Sequence, residues 1–169
     1  MEWSHYLPTK IVSGGQTGVD RAALDAAISL GIPHGGWCPR RRLAEDGRIP
    51  DDYLLTEHAS TEYWMRTEQN VIDSDATLIL FCGRLTGGTL FTFRMTRKHR
   101  RPCYRADLDS GPPLDPIREW LADTDVEVLN VAGPRESTHP GIHDDAYAVL
   151  VALLSDDSQD DSRDDSRDD

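Results

Sequence analysis

What this chain of 169 residues lacks narrows its class before anything it contains. It has three cysteines, Cys38, Cys82 and Cys103, an odd and scattered set without a Cys-x-x-Cys pair. A disulfide-stapled secreted scaffold needs paired, regularly spaced thiols, so the expectation is a reducing cytoplasm with buried or idle thiols. No run approaches the ~18–20 apolar residues of a membrane helix, and the N-terminus has no signal-peptide apolar core. A soluble, cytoplasmic protein without a membrane partner is expected. Positive charge is also short: 18 Lys and Arg stand against 30 Asp and Glu, a net of -12. Half of that excess falls in residues 155–169, with eight aspartates and two arginines, yet the remainder is still acidic. Broad nucleic-acid binding needs a cationic face to displace counterions, so nucleic acid is not an expected partner.

Familiar catalytic signatures are missing as well. The first glycine-rich turn, Gly14-Gly15-Gln16-Thr17-Gly18, has no lysine in the place that G-x-x-x-x-G-K-[ST] requires, and its order is not G-x-G-x-x-G. A hydrolytic NTPase and a standard dehydrogenase are thereby disfavoured. Ser13-Gly14-Gly15 does not follow the G-x-S-x-G order of a nucleophile elbow. His139 and His143 stand four apart, but Pro140 and Gly141 between them prevent a regular helical pair of metal ligands.

What is present is a repeated junction. Ile11-Val12-Ser13 is a short β-branched run that stops at two glycines and resumes as a helical pattern. Strand, tight turn and helix N-terminus together make an anion pocket: bare glycine amides approach a ligand closely and the helix dipole points at the same spot. Thr17 is the expected cap, with Asp20 complementing the dipole. The same signal recurs where Ala76–Cys82, a continuous apolar strand, runs into Leu85-Thr86-Gly87-Gly88-Thr89-Leu90, and once more where Val126–Val131 ends in Gly133-Pro134-Arg135-Glu136-Ser137. In an open parallel sheet such loops gather at the carboxyl ends of the strands, where ligands bind.

The intervening segments read as an α/β alternation. Ala22, Ala23, Ala26, Ala27, Ile28 and Leu30 predict a small-residue helix ended by Gly31 and Pro33. Ile32–Cys38 reads as a second strand, and residues 39–50 as a long loop with one helical turn carrying Arg40, Arg41 and Arg42. That cationic triplet is either functional or a charged loop paired with Glu45 and Asp46. Ser60 is the expected N-cap of a helix through Asp73, on which Tyr63, Arg66, Thr67 and Asn70 share one face through i, i+3, i+4 and i+7 spacing. Helices are further expected from Leu90 to about His99, from Asp115-Pro116 to Asp123 and from His143 to Leu154, with a strand over residues 102–106. Trp3 and Tyr6 are expected to pack on the body or a partner subunit. Residues 1–154 are expected to form one α/β domain on a parallel sheet, and residues 155–169 are an apolar-free, self-repelling tail expected to be disordered.

Several of these motifs, taken together, resemble a known family. Ser13-Gly-Gly-Gln-Thr-Gly-Val-Asp-Arg-Ala-Ala-Leu-Asp25, Gly35-Gly-Trp-Cys-Pro-Arg40, Ala44-Glu-Asp-Gly-Arg-Ile-Pro50, Tyr63 with Arg66-Thr67 and Asn70-Val71, Thr86-Gly-Gly-Thr89 and Gly133-Pro-Arg-Glu-Ser137 look like the molybdenum cofactor carrier proteins, in collinear order over residues 10–154. The resemblance implies a single Rossmann-like α/β domain over residues 1–154, with a doubly wound parallel sheet flanked by helices, a homo-oligomer such as a dimer or tetramer, and binding of molybdenum cofactor, a pterin phosphate, or a related nucleotide-like anion, with molybdoenzymes as partners. It places the ligand on Gly14, Gly15, Gln16, Thr17 and Gly18, on Thr86, Gly87, Gly88 and Thr89, on Gly133, Arg135, Glu136 and Ser137, and on Arg40, Arg66, Thr67 and Asn70. It also extends to the related "lonely guy" phosphoribohydrolases, whose glycine turn P-G-G-x-G-T-x-x-E carries an acid where this chain has Thr92. A binding protein without catalytic residues is the expectation, with cleavage of nucleoside monophosphates, or nucleotide sensing, as the alternatives. In the enzymatic alternative Glu136 or Asp20 replaces the missing acid.

Overall fold

The computed structural model describes residues 6–112 and 114–156; the expectations for Trp3 and for the aspartate repeat beyond residue 156 fall outside them. In chain order the elements are β1 (Lys10–Val12), α1 (Val19–Leu30), β2 (His34–Gly35), β3 (Trp37–Cys38), a 3-10 turn (Arg40–Arg42), β4 (Leu43–Ala44), β5 (Gly47–Arg48), β6 (Thr56–Glu57), α2 (Tyr63–Ile72), β7 (Ala76–Phe81), α3 (Gly87–Lys98), β8 (Cys103–Asp107), a second 3-10 turn (Leu108–Ser110), α4 (Leu114–Asp123), β9 (Val128–Ala132) and α5 (Ile142–Leu154). Five strands make one sheet in the order β2-β1-β9-β7-β8, every neighbouring pair parallel. No helix among the described residues is long and apolar enough to cross a membrane.

Parallel neighbours need crossover connections, and right-handed crossovers running in opposite directions place their helices on opposite faces. From β1 the chain moves outward to β2 through α1, and from β7 it moves outward the other way to β8 through α3. Accordingly α1 packs on α5 and α5 on α4, while α2 packs on α3. β9 fills the centre, so connections diverge on either side of it and open a crevice beyond its carboxyl end.

Burial follows from this layering. β7 is a continuous apolar run because both of its faces are covered, and Ala76, Leu78, Ile79 and Leu80 are fully buried. Ala22, Ala23, Ala26 and Ala27 are also fully buried, and their small side chains let α1 lie close to the sheet and to α5. Tyr6 packs on this core and its hydroxyl donates to Asp125 Oδ1 at 3.1 Å. A second, smaller cluster of Cys38, Ala44 and Ile49, flanked by Tyr53 and Leu55, supports the excursion between β3 and β6.

Some boundaries differ from the sequence reading. Ser60 does not cap α2; its hydroxyl accepts from the Glu62 N–H (3.1 Å) in a local turn, and the helix starts at Tyr63. α3 starts at Gly87, so the glycine pair is its first turn rather than the loop before it. Ile32–Cys38 is not one strand: β2 joins the main sheet and β3 pairs with β6. The triplet loop is a 3-10 turn followed by the β4–β5 hairpin. α4 takes Asp115 and Pro116 into its first turn, one residue later than its start at Leu114.

Candidate functional site

The loops after β1, β7 and β9 converge beyond the carboxyl end of the sheet, with α2 as a side wall, around a cavity of about 770 Å³. Small-molecule sites fall in the range of ~300–1,000 Å³. Gly14 and Gln16 line it from the first loop, Thr86, Gly87, Gly88 and Thr89 from the second, and Gly133 and Arg135 from the third. Tyr63, Arg66, Thr67 and Asn70 all line it from α2, as their shared-face spacing predicts.

Its buried wall is an ion pair. Arg66 Nη1 donates to Asp20 Oδ2 at 3.1 Å, with both side chains almost wholly buried, and the same oxygen accepts from the Gln16 N–H at 3.3 Å. Burial pushes the Asp20 carboxyl above its ordinary range, against the opposing pull of Arg66. The guanidinium reaches this position only because residue 14 is glycine: a Cβ there would stand 1.3 Å from Arg66 Nη1. Arg66 Cζ also lies 5.9 Å from the centre of the Tyr63 ring and Arg135 Cζ lies 5.5 Å from it, so two cations flank one half-exposed aromatic ring. Trp64 beside it is half exposed.

Two features of the cavity's wall leave donors without acceptors. Gln16 Nε2 and Arg66 Nε are buried donors without a hydrogen-bond partner among the described residues. Gln16 Oε1 is engaged by the N–H groups of Thr17 (3.1 Å) and Glu45 (2.9 Å), which orients the amide and leaves Nε2 unpaired. A buried donor left unmatched costs about 1–3 kcal/mol. The second feature is the N-terminus of α3. Its N-cap Thr86 makes no side-chain cap bond, and among the described residues the N–H groups of Gly87 and Gly88 have no acceptor. A Cβ at either glycine would meet no atom within 4 Å, so the helix end is open.

The first glycine turn is partly closed by the chain itself. Gln16 N–H is taken up by Asp20, Thr17 N–H by the Gln16 side chain and, at the start of α1, Val19 N–H by the Pro134 carbonyl at 3.2 Å, while the N–H groups of Gly14, Gly15 and Gly18 have no acceptor among the described residues. Thr17 does not cap α1, whose N-cap is Gly18; its hydroxyl donates to Glu45 and accepts from the Glu136 N–H at 3.2 Å. Gly15 faces the second apolar cluster, where a Cβ would come within 2.5 Å of Leu55 Cδ1. Glu136 caps α5, accepting from the N–H groups of Gly141 (2.5 Å) and His143 (3.0 Å). Ser137 donates to Glu45 through its hydroxyl at 2.5 Å and its N–H at 3.1 Å. Arg40 sits on the 3-10 turn away from the cavity, and Arg42 is a structural residue, donating to the carbonyls of Ile49, Pro50, Tyr53 and Leu55. Gly15, Thr17, Gly18, Arg40, Glu136 and Ser137 are therefore outside the lining, and the other expected residues are in it.

Within the lining, Asn70 is largely spent on structure, its Oδ1 accepting from Trp37 N–H (2.7 Å) and its Nδ2 donating to the Trp37 carbonyl (3.0 Å). Sequence reasoning missed Asn130, a polar residue inside the central strand whose Nδ2 donates to Thr77 Oγ1 at 3.2 Å. An amide in an otherwise apolar buried strand was the available signal. It also missed Glu45, which binds Thr17 and Ser137 and lies 3.8 Å from Arg135. Burial opposes ionisation of Glu45, but the bonds from Ser137 and Thr17 outweigh it and hold its pKa below the ordinary value. Thr92 donates its hydroxyl to the Gly88 carbonyl at 3.0 Å.

A parallel five-stranded sheet flanked by helices, with a ligand-sized cavity at its switch point, defines a Rossmann-like α/β domain. Residues 11–154 match the circularly permutated YpsA SLOG family, and the chain belongs to that family. It is 44% identical to a protein of known structure from Syntrophus aciditrophicus SB, provisionally named a molybdenum carrier protein, with a TM-score of 0.84 over 88% of this chain and 96% of that one. No curated protein matches the chain.

Proposed function

We propose that this protein is a carrier that holds molybdenum cofactor, or a related phosphorylated heterocycle, in the cavity beyond β9. The observation that carries this reading is the pairing of two acceptor-seeking features on residues that line one ligand-sized cavity: the open N-terminus of α3 and, in the wall, the unmatched buried donors of Gln16 and Arg66. The pterin phosphate fits this donor set. Gly87 and Gly88 amides would take the phosphate, aided by the helix dipole. Gln16 Nε2 and Arg66 would take oxygen or nitrogen acceptors of the heterocycle, and the Tyr63 and Trp64 rings offer it apolar and stacking surface. The naming of the Syntrophus structure agrees with a carrier role. No step of chemistry is assigned to the chain, since the acid Asp20 is held by Arg66 and position 92 is a threonine.

The test is to express the protein in cells that make molybdenum cofactor, purify it, oxidise it, and measure fluorescent pterin per chain. About one pterin per chain is expected for the wild type, with loss in Gly88→Asp, which sets a carboxylate at the α3 amides. Pterin absent from the wild type, or retained in full by Gly88→Asp, overturns the reading.

A further inference from the structure

Charge in this chain is sorted by region. Residues 76–106 contain seven cations and no Asp or Glu, within a chain of net charge -12. Six of the seven, Arg94, Arg97, Lys98, Arg100, Arg101 and Arg105, lie on the C-terminal half of α3, the following turn and the edge strand β8, and all six are exposed. The two elements present one continuous face: Arg97 Cζ and Arg105 Cζ lie over the same Phe93 ring, at 5.8 and 4.5 Å from its centre. Among the described residues one carboxylate meets this face, that of Glu68, at 3.1 Å from Lys98 Nζ and 3.5 Å from His99 Nε2. Arg101 donates to the Ile72 carbonyl at 2.9 Å, which leaves Arg94, Arg97, Arg100 and Arg105 without a carboxylate among the described residues. Such a concentration of like charge raises its own energy until an anion covers it.

The complementary charge is in the same chain. Residues 157–169 carry seven aspartates and two arginines in an Asp-Asp-Ser rhythm. α3 and α5 each follow a strand of the parallel sheet and run back along it, so their C-terminal ends lie at the same edge, opposite the cavity. Residues 157–169 continue from that edge after α5. Thirteen residues at ~3.3–3.6 Å each span up to roughly 45 Å, while a domain of this size has a radius of gyration of about 15 Å. The repeat therefore reaches the cationic face without strain, at the local concentration of a short tether, on the order of millimolar. We propose that the aspartate repeat 157–169 docks on the cationic face made by the C-terminal half of α3 and by β8. Docked there it covers the exposed edge of β8 and withdraws a strongly basic face of an acidic protein from other polyanions, at the end of the sheet remote from the cavity.

Carbodiimide coupling of the full chain reads this contact, because Lys98 and Lys10 are its two lysines and Lys98 alone belongs to the face. The Lys98–Glu68 pair at 3.1 Å supplies a reference product. Lys98 is expected to couple to aspartates of 157–169 with yields ~3-fold or more above those at Lys10, and to lose them at 1 M salt, where the screening length falls to about 3 Å. In a mixture of isotope-labelled and unlabelled protein the products should join residues of one chain. Replacing the seven aspartates by asparagine should shift elution from a heparin column to higher salt. Equal coupling at both lysines, coupling indifferent to salt, products joining separate chains, or an unshifted elution overturns the docking. Tight binding of a DNA duplex by the intact chain at physiological salt overturns it too, and gives the face to nucleic acid.

Discussion

Replacing Arg66 by methionine tests the buried wall of the cavity. Methionine keeps most of the volume of the stem but removes the cation that faces Asp20, whose oxygen lies 3.1 Å from Arg66 Nη1. At an effective dielectric of about 20, a pair of unit charges ~4 Å apart interacts by about 4 kcal/mol. Removing one partner of a buried pair typically costs about 3–5 kcal/mol, because the remaining charge stays desolvated. Both side chains are about nine-tenths buried, so that range applies wherever Asp20 is ionised. That is a large share of the ~5–15 kcal/mol that stabilises an ordinary domain.

Burial already raises the Asp20 pKa in the folded protein, and without Arg66 it rises further. Between the unfolded value near 3.9 and the raised folded value the folded state binds the extra proton, so stability falls as pH rises through that window. Urea unfolding followed by tryptophan fluorescence at pH 5 and pH 8 should show Arg66→Met losing about 3–5 kcal/mol at pH 8 and clearly less at pH 5. Adding Asp20→Asn should restore at least ~1 kcal/mol at pH 8, since the uncompensated charge goes. A loss below ~1 kcal/mol, equal losses at both pH values, or no recovery in the double variant refutes the reasoning.

Three further expectations rest on the same geometry. Gly14→Ala should act through Arg66, whose tip its Cβ displaces from Asp20, so it should weaken ligand retention and, like Arg66→Met, cost more stability at pH 8 than at pH 5, whereas Gly15→Ala should cost about 1–3 kcal/mol at either pH, since residue 15 has φ 77° and its Cβ meets Leu55 and Ile49; thermal melts at the two pH values separate the two. Glu45→Ala should lower stability by about 2–3 kcal/mol, as charge-assisted bonds from Thr17 and Ser137 are lost together, and an unchanged urea midpoint would remove Glu45 from its clasping role. His143 bridges Asp25 (2.7 Å) and Asp144 (3.0 Å); burial lowers its pKa but the two carboxylates outweigh this and raise it. The imidazolium therefore contributes stability below pH ~6.5 that disappears as pH rises through the raised value, so the stability–pH curve of His143→Gln should be flatter than that of wild type in this window.

The parts of the structure legible in the sequence are those set by short-range pattern. The apolar run Ala76–Phe81, the alanines of α1 and the spacing of Tyr63, Arg66, Thr67 and Asn70 are local signals, and each lands where the pattern puts it. The three loops also converge, because a parallel sheet leaves few places for them. What was hidden is which polar groups the chain satisfies for itself. Glu45 bonds to residues 28 and 92 positions away in sequence, and nothing local to Glu45 announces this. Arg42 belongs to a conspicuous triplet, yet it feeds four carbonyls of its own loop rather than a ligand. Glu136 and Thr17 likewise have the chemistry of ligand-binding residues but are consumed by α5 and by Glu45.

The two glycine-rich turns differ in how their helix ends are filled, which is why the proposed reading puts the phosphate at α3. α1 has Gly18 as N-cap and Asp20 two residues later, and the Asp20 carboxylate folds back to the Gln16 N–H, supplying the anion that the helix end attracts. α3 has Thr86 as N-cap and Gly88 at the corresponding place, with no acidic residue in its first turn. Gly88→Asp therefore rebuilds in α3 the internal anion of α1. Because a carboxylate near a helix N-terminus contributes about 0.3–1 kcal/mol and glycine inside a helix costs roughly 0.5–1 kcal/mol, this variant should be more stable than wild type. It should also lose ligand, since its own carboxylate occupies the amides. Opposite signs in stability and retention distinguish a blocked site from a damaged fold. A variant that melts higher and still carries its full complement of pterin would show that the α3 terminus is not where the phosphate sits.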